Sequence, residues 1–225
     1  MSAIKLVIFD MAGTIIEDHG EVVSAFSAAL ERNGIPFSKE EVKRRMGASK
    51  REVIRHFAEQ VGTSAQLGDM VENTYRSFRA ELERLYEERI RPIEGAAATF
   101  QWCRDHGIQM ATTTGFYREI ANLILGKTCW KDVFTANISS TDVRLGRPAP
   151  YMIFRAMEAC GVQKVQEVIN VGDTPLDLQS ADNAGVRGNI GVLSGSYDRQ
   201  GLEREQHTHL IGSVAELPTL IECEY

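Results

Sequence analysis

From residue 92 onward, short apolar runs alternate with amphipathic stretches, and no other feature restricts the fold of this chain so strongly. The pattern predicts helices over 95–106, 117–125, 150–160 and 176–183, three of them stopped at Gly107, Gly161 and Gly185. Between them it predicts strands over 108–114, 133–138, 168–171 and 188–193. Strands separated by helices pair as a parallel sheet with right-handed crossovers, because parallel neighbours need a long connection. Residues 4–9, Ile-Lys-Leu-Val-Ile-Phe, add a first strand of the type buried on both faces.

Between that strand and Pro92 the pattern is helical almost throughout. Val22, Val23, Phe26, Ala29 and Leu30 share one helical face, and Asn33-Gly34 reads as a stop. Ser38 and Glu41 have the spacing of a capping box, and a break falls near 62–68. Val71, Tyr75, Phe78, Leu82 and Leu85 form an apolar stripe on one long, charged helix. The expected fold class is α/β: a doubly wound, Rossmann-like parallel sheet core built from 1–16 and 92–225, with an inserted all-helical cap domain at 17–91. Hinges are expected near 16–21 and 89–94, where the cap would open and close.

A net charge of −6 gives the chain no electrostatic reason to seek nucleic acid or anionic lipid. An anionic substrate must therefore be held by a local cluster of cations. No apolar run approaches the roughly 20 residues that span a bilayer, and residues 4–9 lack the order of a secretory signal. Cys103, Cys129, Cys160 and Cys223 lie far apart without a CxxC pair, which argues against a zinc site or a disulfide framework. The expected compartment is the reducing cytoplasm.

Ligands of open parallel sheets bind beyond the carboxyl ends of the strands. Four segments lie there or open the next helix: Asp10-Met11-Ala12-Gly13-Thr14, Thr112-Thr113-Thr114-Gly115, Gly146-Arg147-Pro148 and Gly172-Asp173-Thr174-Pro175-Leu176-Asp177. They offer acidic side chains, a hydroxyl and a cation, a set suited to phosphoryl transfer. In this order, DxxGT, Thr-Gly, G[KR]PxP and GDxxxD, the chain resembles the haloacid dehalogenase superfamily over essentially its whole length. The resemblance implies a Mg²⁺-dependent hydrolase of a small phosphorylated or phosphonate substrate. Asp10 would be the nucleophile and would form an aspartyl-phosphate. Thr114 would bond a phosphoryl oxygen, and Arg147 would pair with both the phosphoryl group and Asp10. The metal ligands would be Asp10, the Ala12 carbonyl and Asp173, with Asp177 in support. Gly13, Thr14, Met46, Gly115 and Arg147 would bind substrate.

Phosphatases of that superfamily place a second aspartate two residues after the nucleophile, as acid and base. This chain has Ala12, and losing such a group typically costs about 10²–10⁴-fold in rate. The phosphonoacetaldehyde hydrolase branch shares the DxAGT signature and a Met-Gly-x-x-Lys segment, to which Met46-Gly47-Ala48-Ser49-Lys50 is similar. In that branch the lysine forms a Schiff base with an aldehyde, and the leaving group is carbon, so an acid for an alkoxide is unnecessary. Lys50 is the corresponding candidate. Burial, or the nearby Lys43, Arg44, Arg45 and Arg51, would have to depress its pKa.

Three residues depart from the branch. Val53 replaces a histidine, Phe116 a tyrosine and Gly20 a cysteine, with His19 and Tyr117 as polar alternatives one residue away. Two other readings stay open on sequence alone. One is a phosphomonoester phosphatase in which Lys50, within a Gly-x-Ser-[RK] segment, only clamps a distal anion. The other is a binding protein that has lost catalysis. The apolar stripe and the family's habit also suggest a homodimer formed through the cap.

Overall fold

The computed structural model describes residues 3–225, so the first two residues of the expected core lie outside the described residues. Among these, six strands form one parallel sheet: β1 (Leu6–Phe9), β2 (Gln109–Thr114), β3 (Ala136–Ser139), β4 (Val168–Gly172), β5 (Gly188–Val192) and β6 (His209–Ile211). Four helices separate β1 from the crossover leading to β2: α1 (Glu21–Arg32), α2 (Lys39–Lys43), α3 (Lys50–Ala58) and α4 (Leu67–Glu88). The remaining helices are α5 (Ala96–Asp105), α6 (Arg118–Lys127), α7 (Tyr151–Ala159), α8 (Pro175–Ala184), α9 (Arg199–Leu202) and α10 (Leu217–Glu224).

The strand order is β3-β2-β1-β4-β5-β6. The direction of winding reverses at β1, which opens a crevice at the carboxyl ends of β1 and β4. Phe9 is in register with Thr112 on one side and Val171 on the other. The Asp10 amide donates to the Val171 carbonyl at 2.9 Å, so the sheet still holds the chain where Asp10 emerges.

Alternation along β1 divides the core, because successive side chains point to opposite faces. Val7 and Phe9 join the cluster that contains Phe100 of α5, Ile120 and Ile124 of α6, and Leu217 of α10. Leu6 and Ile8 face Ile153 and Ala156 of α7 and Ala181 of α8. Phe9 meets the edge of Phe100 at 5.4 Å, a geometry worth about 0.5–1.5 kcal/mol beyond the buried area.

The helical insertion is tied at its base. Glu17 N donates to Arg91 O at 2.9 Å and Ile93 N to Ile15 O at 3.0 Å, so the outgoing and returning chains pair where the hinges were expected. The stripe on α4 is buried at Val71, Tyr75, Phe78 and Leu82, but its last member is Tyr86 rather than Leu85, which is only partly buried. Both positions satisfy helical spacing. Phe78 packs inside the insertion, its ring centroid 4.3 Å from that of Phe26 of α1, whereas Tyr75 and Tyr86 meet Tyr117 and Phe116 of the core at 5.8 and 5.7 Å. The stripe is therefore buried within one chain.

Several expected boundaries move. The third strand starts at Ala136, not 133, because Val133 closes a turn onto the Trp130 carbonyl at 3.1 Å. Ser38 caps Glu41 N at 3.1 Å, but the reciprocal half of the box is missing, since Glu41 turns to His56 at 2.8 Å. The elements after residue 193 were not expected: β6 has three residues and too little pattern to register. Among the described residues no helix is long and apolar enough to cross a membrane.

Candidate active site

Asp10, Thr114, Arg147, Asp173 and Asp177 come together at the crevice, all nearly or fully buried. Arg147 organises them. Its Nη1 lies 2.7 Å from Asp10 Oδ1 and 2.8 Å from Asp177 Oδ1. Its Nη2 donates to the Thr113 carbonyl at 3.0 Å and to Thr113 Oγ1 at 2.9 Å. A planar fork can make these four contacts at once, whereas a lysine ammonium cannot. Asp177 Oδ2 accepts from Thr174 N at 3.1 Å, within the capping box that opens α8. Asp10 Oδ2 makes no hydrogen bond among the described residues.

Asp173 accepts from Ser196 N at 2.7 Å and from Thr14 Oγ1 at 3.5 Å, and has no cationic partner among the described residues. Two glycines let the chain close around it. A Cβ on Gly13 would stand 2.4 Å from Asp173 Oδ2, and one on Gly195 2.1 Å away. Oxygens of Asp10, Asp173 and Asp177 lie within 4.8 Å of one another, a cluster that can hold a metal ion. Burial pushes the Asp10 carboxyl up to about 7, against the pull of Arg147 and with a further push from Asp177. Burial, then the charges of Asp10 and Asp177, lift Asp173 well above the carboxylate range. Three buried carboxylates, of which only Asp10 and Asp177 pair with the Arg147 guanidinium, need further positive charge, and oxygen donors suit a hard divalent cation.

Lys50 faces this cluster from the insertion. It is the first residue of α3, and the turn before it depends on Gly47 at φ +87°. A Cβ on Gly115 would stand 2.7 Å from the carbonyl oxygens of Gly47 and Ala48, so here the insertion meets the core backbone to backbone. Lys50 is 5% exposed, with Nζ 5.0 Å from the Phe116 ring centroid and 6.0 Å from that of Phe26. It has no hydrogen bond or ion pair among the described residues. Burial lowers its pKa to about 8, opposed by Asp10 and Asp18 and reinforced by Arg147. Asp10, Ala12, Thr114, Asp173 and Lys50 line one small cavity of about 20 Å³.

A family model described as haloacid dehalogenase-like hydrolase matches residues 7–190. The chain belongs to that family. It is 32% identical over 218 residues to the phosphonoacetaldehyde hydrolase of Lysinibacillus sphaericus strain C3-41, covering 90% of this chain and 79% of the relative. It is 31% identical over 217 residues to a bifunctional phosphonoacetaldehyde hydrolase/aminoethylphosphonate transaminase of Clostridioides difficile strain 630; that match covers 90% of this chain but only 33% of the larger protein. A phosphonoacetaldehyde hydrolase like protein from Oleispira antarctica has the same fold, with TM-score 0.86 at 23% identity, covering 98% of this chain and 92% of that one. This haloacid dehalogenase-like hydrolase thus falls in the branch of phosphonoacetaldehyde hydrolase relatives, and the reading as a non-catalytic binding protein is set aside.

Within this hydrolase the expected residues divide. Met46 and Gly115 line the cavity. Gly13 and Thr14 sit beneath Asp173 instead, and Arg147 reaches the cavity only through Asp10. Two of the cations expected to depress Lys50 turn elsewhere: Arg51 pairs with Glu72 and stacks on Tyr75, and Arg45 turns to His56 at 2.8 Å. Burial takes their place. Neither polar alternative reaches the cavity. His19 is exposed and pairs with Glu17 at 2.8 Å, and the Tyr117 hydroxyl donates to Glu83 at 2.8 Å.

Sequence reasoning missed Val22, Thr174 and Ser196 on the cavity wall. Ser196 had a signal, since the loop 194–196 follows a predicted strand end.

Proposed function

We propose that this hydrolase cleaves the carbon–phosphorus bond of a small phosphonoaldehyde, with Asp10 as nucleophile and Lys50 as imine-forming amine. The observation that carries this reading is the buried, unpartnered Lys50 amine sharing one cavity with the Asp10 carboxylate. A lysine that only clamps an anion works best fully charged. Lys50, held near pKa 8 between two aromatic rings, is neutral for part of the time at neutral pH and is then a nucleophile.

The Lys50 amine condenses with the aldehyde, and water leaves. Asp10 attacks phosphorus, the carbon–phosphorus pair flows into the iminium, and an enamine departs. An enamine carbon needs no acid two residues beyond the nucleophile, which accounts for Ala12. The enamine takes up a proton at carbon to give an iminium, one water releases acetaldehyde from Lys50, and a second water releases phosphate from Asp10. Thr114, on the cavity wall, would donate to a phosphoryl oxygen, and Arg147 would hold Asp10 in line through their 2.7 Å contact. Asp10, Asp173, Asp177 and the Ala12 carbonyl would hold Mg²⁺, which supplies neutralisation of the phosphoryl charge. A cavity of about 20 Å³ has room for little more than one water, so the helical cap must open at 16–21 and 89–94 to admit substrate.

Phosphate release from phosphonoacetaldehyde tests the proposal. Activity should vanish in Asp10→Asn and in Lys50→Arg, because a guanidinium keeps the charge but forms no imine. Turnover of phosphate esters that survives Lys50→Arg while phosphonoacetaldehyde is untouched would instead assign the clamp role to Lys50.

A further inference from the structure

We infer that Tyr197 latches the insertion over the mouth of the catalytic cavity, and that Ser196 beside it is the rim past which the small anionic substrate enters and phosphate leaves. The inference rests on the cavity of Asp10 and Lys50 being where the substrate reacts, whatever bond is broken there.

The wall of that cavity is covered unevenly. Among the described residues that line it, Ser196 is exposed, Ala12 and Gly47 are partly covered, and the others are buried. The cavity therefore meets solvent beside Ser196, where the core loop 194–197 approaches the insertion.

The core side of this mouth is tied down. Ser194 Oγ donates to Gly13 O at 2.8 Å, and Ser196 N donates to Asp173 Oδ2 at 2.7 Å. The Tyr197 ring packs against the main core cluster, and Asp198 caps α9 by accepting from Gly201 N at 2.9 Å. From this base the Tyr197 hydroxyl reaches across to the insertion and donates to the Lys43 carbonyl at 3.1 Å. Lys43 is the last residue of α2, and the same carbonyl accepts from Met46 N at 3.0 Å. A carbonyl oxygen has two lone pairs and can take both bonds. One oxygen thus joins the loop that holds Asp173 to the turn of Met46 and Gly47, which lines the cavity and leads into Lys50 at the start of α3.

Admitting substrate requires the insertion to lift off the core, and lifting parts Tyr197 from Lys43. Their hydrogen bond is exposed, so water takes over both groups on opening and the bond shifts the closing equilibrium only a few-fold. That suits a latch that must release at every turnover. On closing, it seats Met46 and Lys50 over Asp10 while the loop already holds Asp173. Tyr197 touches neither substrate nor reacting atoms; it is a positioning residue that acts through the insertion.

Trace acetylation of the full-length protein by acetic anhydride tests the inference, with modification of Lys50 read by mass spectrometry against the exposed Lys164. The reagent is too large for the closed cavity of about 20 Å³, so it reaches Lys50 only when the mouth opens, and it acylates the amine whatever reaction the amine serves. Tyr197→Phe keeps the packed ring and loses the donor; its Lys50 should be acetylated about fivefold faster than in wild type. Ser196→Trp keeps the backbone bond to Asp173 and places an indole at an exposed rim position; its Lys50 should be acetylated more slowly than in wild type. A change that merely loosened the fold would speed labelling in both variants. No acceleration in Tyr197→Phe, or no slowing in Ser196→Trp, overturns the inference and leaves the imine reading intact. Failure of the imine reading in its own tests leaves both labelling rates as expected here.

Discussion

Gly47 approaches Thr174 so closely that a Cβ on the glycine would stand 2.5 Å from the threonine Oγ1. This contact joins the turn that carries Lys50 to the helix start that carries Asp177. Gly47 also has φ +87°, where a side chain costs about 1–2 kcal/mol. Gly47→Ala should leave far-UV circular dichroism unchanged and lower kcat/KM at least about tenfold, because the insertion no longer seats on the core. Wild-type kinetics in this variant would mean that closure does not use this contact.

Lys50 links pH to both stability and reactivity. Its folded pKa, about 8, lies below the ordinary 10.5, so the unfolded chain holds the proton over that window. Its contribution to stability therefore rises with pH from about 8 to 10.5 and is unfavourable throughout below 8. Lys50→Met should raise stability near pH 7 by roughly 1–3 kcal/mol in urea unfolding, while abolishing imine formation. In the wild-type protein the rate of imine formation should climb with pH to a plateau with a midpoint near 8.

Arg147 is the shared countercharge of Asp10 and Asp177. Removing one partner of a buried ion pair costs about 3–5 kcal/mol, so Arg147→Met should lower the urea midpoint sharply as well as abolish turnover. Arg147→Lys should fold better but remain slow, since one ammonium cannot reach Asp10, Asp177 and Thr113 together.

Ala12 lines the same cavity as Asp10 and Lys50. Ala12→Asp installs an acid where an ester oxygen would leave. Hydrolysis of a small phosphate ester should increase by about 10²-fold over wild type, with no gain on phosphonoacetaldehyde. No gain on esters would show that the missing acid is not what restricts this site.

The sheet and the residues at its rim were legible because parallel strands announce themselves as apolar runs and deliver their motifs at the next residue. Asp10, Thr114 and Asp173 follow β1, end β2 and follow β4. Lys50 was legible only through Met46 and Gly47, the local turn that carries it. Tyr86 was hidden by ambiguity of helical phase, since it and Leu85 both continue the stripe from Leu82. His209 to Ile211 offered three residues and no periodicity, although they close one edge of the sheet.

The most direct test of the central claim is the chemical identity of the group that borohydride fixes on the protein during turnover of phosphonoacetaldehyde. If Lys50 forms the imine and Asp10 removes phosphorus from it, reduction leaves an N-ethyl group on Lys50 in the wild-type protein and a phosphonoethyl group on Lys50 in Asp10→Asn. Phosphate release with Lys50 unmodified in both would contradict the account.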